Sequence, residues 1–430
     1  MNGRVSKIKD LLKKTPLRPL WWKFCKIPPM KKIRKYRNRK AKDKLLFKTL
    51  PAVYDAHKNE PVDEGKVLFV EERFGEISNS FQVIYDELKN HYDFDIHVHF
   101  LGNTVVSKEE NIARRKRMLE DAATAGCIFL NDASESISCI DKRPETKVFQ
   151  LWHACGAFKK FGMSTADLLF GLNRQQQERH PTYRNLSCVT VSSPEIGWAY
   201  AEAMSLQGQE EIVQPLGISR TDLFFREDTI RKAYEHLYEQ FPAARGKKVI
   251  LYAPTFRGRV ASARAPEGFD LRTFYRDLGD GYVVVTKHHP FIHNLPEIPG
   301  DLEGIFAYDA TNSMSIEDLL CVSDFCISDY SSLIFEYSLF ERPMLFYAYD
   351  LEEYFDWRGF YYPYEELTPG HICRTNEEMT DYILHARERF DRQRVIDFRN
   401  KFMSACDGHA TERILEAAFC RETLEKRRKK

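Results

Sequence analysis

The chain predicts an α/β protein of two Rossmann-like parallel-sheet domains facing a cleft. Three observations carry this reading. From Lys66 onward, short apolar runs alternate with amphipathic stretches, the pattern of parallel strands joined by helices. The alternation starts again after Gly246, so the unit occurs twice. In both halves, polar or histidine-bearing turns follow the apolar runs, where open parallel sheets hold their ligands.

In the first half, Val67–Val70 reads as a buried strand, with a helix from about Phe81 to Asn90 behind it. A second strand over Asp95–Leu101 precedes a charged amphipathic helix over Glu109–Ala123. Cys127–Leu130 and Val148–Leu151 are further short strands. Trp152 and His153 follow the latter directly, so His153 stands at a strand's carboxyl end. A histidine packed structurally against Trp152 fits the same residues. Gly156 and Gly162 allow a tight loop, and Lys159 and Lys160 add positive charge to it. Cys188–Ser193 is the next strand, a helix runs from Pro194 to about Leu206, and Val213–Gln214 leads into PLGISRTDLFF. The helix Thr229–Gln240 ends before Phe241–Pro242, and Gly246 marks a domain boundary.

The second half opens with a strand over Lys248–Ala253 that ends in APTFRG, and residues 259–268 form a polar loop. The strand Tyr282–Thr286 runs into Lys287–His288–His289–Pro290. Neighbours on an extended segment point opposite ways, so one histidine at most faces a cleft. A helix begins at Ile316–Leu320, and two more are expected over Asn376–Phe390 and Gln393–Ala405. Between them lies the stretch around which the half is organised, Cys321 to Tyr354. Phe325–Ile327 suits a buried strand, Ser328–Ser332 a polar turn, Leu333–Phe340 a helix and Met344–Tyr347 another strand. A helix opening at a strand end offers free N–H groups to phosphate. Ser331 and Ser332 add hydroxyls there, and Glu336, about one turn on, suits a ribose hydroxyl. An ordinary cap on a buried helix fits the same spacing.

The 430 residues are 43% hydrophobic and 13% aromatic, ample for two cores. Ten cysteines without CxxC spacing argue against a disulfide framework or a zinc site. No run of about 18 apolar residues is present, and no signal-peptide core follows Met1, so the protein is expected to stay in the cytoplasm. The net charge of +1 hides an asymmetry: residues 1–50 carry 18 Lys+Arg against 2 Asp+Glu, and the remainder is acidic by 15. Leu17, Leu20, Trp21, Trp22, Phe24 and Ile27 interleave the basic run. Trp favours the bilayer interface and Lys/Arg favour anionic lipid, so residues 1–50 are expected to be a peripheral membrane segment. A solvated tail and a nucleic-acid arm share this composition, and the acidic body disfavours nucleic acid. Lys426–Lys430 closes a second basic tail over 411–430. The domains are thus expected over 51–245 and 246–410.

SDYSSLIFEY, followed by RPMLFYAYDLEEY and RGFYYPYEELTPG, closely resembles the carboxyl-terminal signature of the CDP-glycerol glycerophosphotransferases, which build teichoic acids and related polymers. The resemblance covers roughly 65–410. Trp152, His153, Lys160 and Gly162 fit approximately the family's Trp-His-Gly-Thr-Pro-like run and its Lys-x-x-Gly ending, whose spacing matches better from Lys159, whereas Ala154–Ala157 depart from it. Gly217, Arg220 and Asp222 match a Gly-x-x-Arg-x-Asp segment. A salt bridge to Asp222 or to a neighbouring loop is the plainer account of that arginine. Pro254, Thr255 and Arg257 match the next motif, with Arg257 suited to phosphate or the cytosine side. His289, not His288, matches the family's His-Pro pair.

The resemblance implies a GT-B-like architecture with the 51–245 domain for the acceptor and the 246–410 domain for CDP-polyol. It implies transfer of glycerol phosphate from CDP-glycerol to a hydroxyl of a lipid-linked acceptor at the cytoplasmic face of the membrane, with CMP released. CDP-ribitol is the alternative donor, and a GT-B sugar-nucleotide glycosyltransferase or a non-catalytic membrane scaffold the alternative function. His153 is the expected base, since neutral imidazole suits that role near pH 7. His289, Arg257, Thr255, Ser331, Ser332 and Arg220 are the expected donor contacts. No DxD-like acidic pair stands at a convincing strand end, which favours chemistry without metal or cofactor.

Overall fold

Twelve strands among the described residues form two six-stranded sheets in which every pairing is parallel. The structure is a computed structural model. It describes residues 28–429 except 103–105, 167, 169–170, 172 and 260–261. The first sheet comprises β1 (Asp63–Glu71), β2 (Asp95–Phe100), β3 (Ala125–Leu130), β4 (Lys147–Gln150), β5 (Cys188–Thr190) and β6 (Val213–Gln214), in the order β2-β1-β3-β4-β5-β6. The second comprises β7 (Lys248–Tyr252), β8 (Tyr282–Thr286), β9 (Ala307–Asp309), β10 (Phe325–Ser328), β11 (Met344–Tyr347) and β12 (His371–Cys373), in the order β12-β11-β10-β7-β8-β9. The expected two-sheet architecture is what the chain adopts.

The interior strands read as continuous apolar runs because both faces are covered. Val67 to Val70 and Val283 to Val285 are fully buried. β10 lies between β7 and β11, with Phe325 opposite Ile250 and Cys326 opposite Met344. The organising stretch therefore supplies interior strands, and its polar turn opens at their shared carboxyl end.

Several boundaries differ from expectation. β5 has three residues rather than six, although Val191 N–H still donates to the Gln214 carbonyl of β6 at 3.1 Å. The helix expected over Asn376–Phe390 breaks at His385 into Asn376–Leu384 and Ala386–Arg389. β9, β12 and the helix Leu271–Leu278 carry little sequence signal, two of them being three-residue strands.

Both ends of the chain require correction. Leu17 to Ile27 lie outside the described residues, but 28–50 is not a separate segment. The helix Pro28–Lys44 continues through a π-helical turn, Leu45–Thr49, into Leu50–His57. Leu46, Leu50 and Tyr54 are buried in the core of the first half. Residues 411–427 are likewise not a tail: helices Ala410–Phe419 and Arg421–Arg427 occupy them, and Lys430 lies outside the described residues. Ile414, Leu415, Ala418 and Phe419 pack with Val67, Phe69, Phe129 and Phe149 of the first sheet. Lys426 and Arg427 lie in the last turn of the second helix. Among the described residues, no helix is long and apolar enough to cross a membrane.

Candidate functional site

The site is built from two loops that leave strand ends in opposite halves and meet. Trp152, just past β4, has φ of 59°, an unfavourable value for a bulky side chain and a form of strain found at functional sites. The turn swings the His153 ring out of the sheet, 4.2 Å from the Trp152 ring. His153 Nδ1 lies 3.0 Å from the carbonyl oxygen of Asn131. A carbonyl only accepts, so Nδ1 carries the proton and Nε2 of the neutral ring carries the lone pair. The ring has a solvent-exposed edge, yet crowding by protein lowers its pKa. The Asp132 carboxylate works against that shift, while Arg73 and Arg220 reinforce it.

The same loop docks on the second half. Gly156 has φ of 63°, and a Cβ there would lie 2.3 Å from the Phe335 ring. Only glycine permits this approach. Lys160 N–H donates to the Gly359 carbonyl at 3.1 Å, and Tyr361 N–H donates to that of Phe158 at 3.2 Å. Lys159 Nζ reaches the Tyr354 hydroxyl at 3.3 Å.

Arg220 joins both halves beneath His153. Its Nη1 donates to the His153 carbonyl at 2.9 Å and its Nε to Glu336 Oε1 at 2.8 Å. Glu336 is therefore not placed for a ribose: it is 6% exposed and committed to Arg220. Burial raises its pKa and the guanidinium opposes the rise. The Arg220–Asp222 bridge is likewise absent. Asp222 instead accepts from the N–H groups of Ala410 and Thr411 at 3.0 and 2.7 Å, capping the helix that returns to the first sheet.

In the second half, Asp329 follows β10 and Asp350 follows β11, and both hold Arg257. Arg257 Nη1 is 2.9 Å from Asp329 Oδ2, and Nε is 2.6 Å and Nη2 3.0 Å from the Asp350 oxygens. Its guanidinium also faces the rings of Tyr330 and Tyr354, both 5.2 Å away. Arg257 is thus a scaffold as well as a lining residue: every guanidinium nitrogen has a protein acceptor. Thr255 is part of the same network, with its N–H 2.8 Å and its hydroxyl 3.0 Å from Asp329 Oδ1. A 310 Å³ cavity opens beside this cluster, lined by Arg257, Arg264, Tyr349, Asp350 and Tyr354 among others.

Ser331 and Ser332 are half-buried at the start of the helix Leu333–Tyr337. The Ser331 hydroxyl accepts from Leu333 N–H at 3.4 Å, while Ser332 makes no capping bond. The five-residue α-helix continues as a 3-10 turn over Ser338–Phe340, so the helical run ends where expected. His289 and His288 point apart as adjacency requires. His288 is 4% exposed, edge-on to Tyr252. His289 is half-buried and 4.9 Å from the Phe256 ring. Phe291 N–H donates to its Nδ1 at 3.2 Å, which places the proton of the neutral ring on Nε2.

Sequence reasoning missed Asp350 and the structural part played by Asp329. A signal existed in SDY and YAYD, where each aspartate stands just past an apolar strand.

Two facing parallel-sheet domains, with a histidine at the seam and a cation-aromatic cluster opposite, define a GT-B-like protein. Residues 52–420 match the family described as CDP-Glycerol:Poly(glycerophosphate) glycerophosphotransferase, and the chain belongs to it. The chain is 35% identical over 368 residues to a teichoic acid poly(ribitol-phosphate) polymerase of Bacillus spizizenii, covering 84% of this chain and 57% of that relative. It is 35% identical to a teichoic acid ribitol-phosphate primase of the same organism, over 83% of this chain and 91% of the relative. It is 30% identical to a teichoic acid glycerol-phosphate primase of Bacillus subtilis, over 65% and 69%. The wall teichoic acid polymerase TagF superposes with a TM-score of 0.70 at 22% identity, covering 92% of this chain and 97% of that one, a likeness of fold. The family is one of teichoic acid polyol-phosphate transferases.

Proposed function

We propose that the chain transfers a polyol phosphate from a CDP-polyol to a hydroxyl of a membrane lipid-linked acceptor and releases CMP. The observation that carries this is His153. Its Nδ1 proton is held by a backbone carbonyl, its Nε2 lone pair is left for the acceptor, and crowding shifts the ring's pKa down, toward the neutral form. The acceptor oxygen bonds to the polyol-side phosphorus as its proton passes to Nε2 of His153. The bond from that phosphorus to the bridging oxygen breaks, and CMP leaves with the bridging oxygen. Charge on the leaving phosphate needs donors fixed in advance. His289 Nε2–H and the hydroxyls of Ser331 and Ser332 are assigned to it. Arg257 and Thr255 hold the wall of the donor cavity, and Arg220 fixes the His153 backbone. Residues 1–50 bring the enzyme to the anionic cytoplasmic face of the cell membrane as a peripheral protein.

The family's description supports glycerol as the polyol. Ribitol is the second reading, supported by 33–35% identity to four ribitol-phosphate enzymes against 27–30% to four glycerol-phosphate enzymes. The test is CMP release by the purified protein from CDP-glycerol and from CDP-ribitol, with a lipid-linked disaccharide as acceptor. Turnover of one donor alone selects the polyol. Release from neither, with transfer from a UDP-sugar instead, would replace the reading with a glycosyltransferase.

A further inference from the structure

At the outer edge of the first sheet, three side chains bring one ligand atom each to a common point. β2 is the edge strand of that sheet. His97 and His99 stand two apart on it, so both rings leave the same face. The helix Lys108–Ala122 meets that face with Asp121, which lies in its last turn. Asp121 Oδ2 is 3.1 Å from His97 Nδ1 and 3.0 Å from His99 Nε2. The three atoms all lie within 4.8 Å of one another. Among the described residues, no other group of histidine, cysteine and carboxylate side chains converges in this way.

His97 meets a carboxylate on each ring nitrogen: Asp121 on Nδ1, and Asp95 Oδ2 at 3.0 Å from Nε2. Carboxylates only accept, and a neutral imidazole has one N–H, so one of these contacts lacks a proton. Protonation would supply it, but the resulting imidazolium would share the Asp121 carboxylate with Lys66, whose Nζ is 2.6 Å from Oδ1. A divalent cation at the point of convergence supplies the charge and uses the lone pairs instead. It takes His97 Nδ1, His99 Nε2 and Asp121 Oδ2, and it leaves the His97 Nε2 proton to Asp95. Asp95 then orients a ligating ring as outer carboxylates do at metal sites, and Lys66 fixes the ligating carboxylate. A cation there also answers the negative end of the helix, whose last turn has no basic residue of its own. Two imidazole nitrogens and one carboxylate oxygen suit zinc and its borderline neighbours, whereas calcium and magnesium favour oxygen throughout. The His97 and Asp121 side chains are 33% and 28% exposed, which gives an ion a way in and a water a place in the fourth position.

We propose that His97, His99 and Asp121 bind one divalent ion of the zinc class, with water as fourth ligand, and that the ion clamps the edge strand β2 to the helix Lys108–Ala122. None of the three ligands lines the donor cavity. The ion is structural and has no part in the transfer reaction, so the proposal stands independently of that reaction.

The test is titration of the full chain, treated with EDTA and dialysed, with Zn²⁺ in calorimetry and with Co²⁺ in visible absorption. The expected result is one equivalent bound, with the intense d–d bands of a four-coordinate cobalt site. Excess Zn²⁺ should also raise Tm, because it binds the folded chain. His97→Ala/His99→Ala should lose about 100-fold or more in affinity, more than loss of an outer partner costs, together with the rise in Tm. Asp95→Asn changes an exposed residue that touches only the His97 ring, and it should weaken binding by about ten-fold. His91→Ala/His409→Ala, which alters two exposed histidines elsewhere, should bind as wild type does. Failure of the wild type to bind an equivalent, or its survival in the His97/His99 variant, would leave an imidazolium between two carboxylates and overturn the proposal. Should the His97/His99 variant not fold, Asp95→Asn decides: wild-type affinity there overturns the proposal as well.

Discussion

The loop after β4 and the loop after β10 occupy equivalent places at the carboxyl ends of interior strands, yet they are constructed in opposite ways. At the first, His153 is an exposed residue held by one carbonyl on one nitrogen. At the second, Asp329 accepts from Thr255, Tyr330 and Arg257, and Asp350 accepts from Arg257 and Tyr330. On the proposed mechanism one loop presents a single reactive atom, and the other is a saturated network that shapes a wall. Chemistry and shape are thus divided between the two halves. Bonds crossing the seam hold the division in register.

Removing the reactive atom tests the comparison most severely. His153→Ala should lower kcat by roughly 10²–10⁴-fold, the usual worth of a positioned base, with CMP affinity unchanged. Near wild-type turnover in steady-state assays would show that the β4 loop is structural too. Cutting the seam comes next. Arg220→Ala leaves Glu336 buried without its partner, which typically costs about 3–5 kcal/mol and should appear in urea unfolding. The carboxylate then gains by protonation, so Arg220→Ala/Glu336→Gln should recover part of the loss. No recovery would mean that Arg220 acts only through the His153 carbonyl.

The opposing loop is probed more gently. Ser331→Ala with Ser332→Ala should weaken CMP binding by about 1–3 kcal/mol in calorimetry, for lost charge-assisted bonds. Unchanged affinity would make Ser331 a cap and nothing more, extending the saturated character to the whole β10 loop. The smallest effect is in pH. The folded His153 has its pKa lowered from the ordinary value of about 6.5, so the neutral base persists to more acid pH than a free imidazole. The acid limb of kcat/KM should inflect below about pH 6.5. The unfolded chain takes up this proton first as pH falls. His153's contribution to stability is therefore complete above about pH 6.5 and is lost as pH falls below it. An acid limb at or above the ordinary histidine value would place the base elsewhere.

Much of the site was legible because its signals are local. An apolar run followed directly by a polar residue marks a strand end, and that places His153 and Ser331 at strand ends without knowledge of their neighbours, while His289 was singled out by the resemblance. The alternation of extended backbone limits the pair to one cleft-facing histidine, and the His-Pro resemblance chose His289. Function at Glu336 was misread for the opposite reason. Its distance from Ser331 along a helix says nothing of Arg220, which is 116 residues away in sequence. Asp350 was overlooked because its meaning depends on Arg257, 93 residues earlier.

By itself the sequence determined the two parallel sheets, through apolar runs whose length and spacing are enforced by burial on both faces. It also determined which residues stand at their carboxyl ends. Only the tertiary structure decided how those ends are used. Docking of the two halves turned Arg220 and Glu336 into a buried strut, closed Asp329 and Asp350 around Arg257, and folded the terminal basic residues onto the first sheet as a helix. Periodicity is written over a few residues, whereas a charge finds its partner across the whole chain. Which carboxylate meets which guanidinium is settled only when the surfaces that carry them meet.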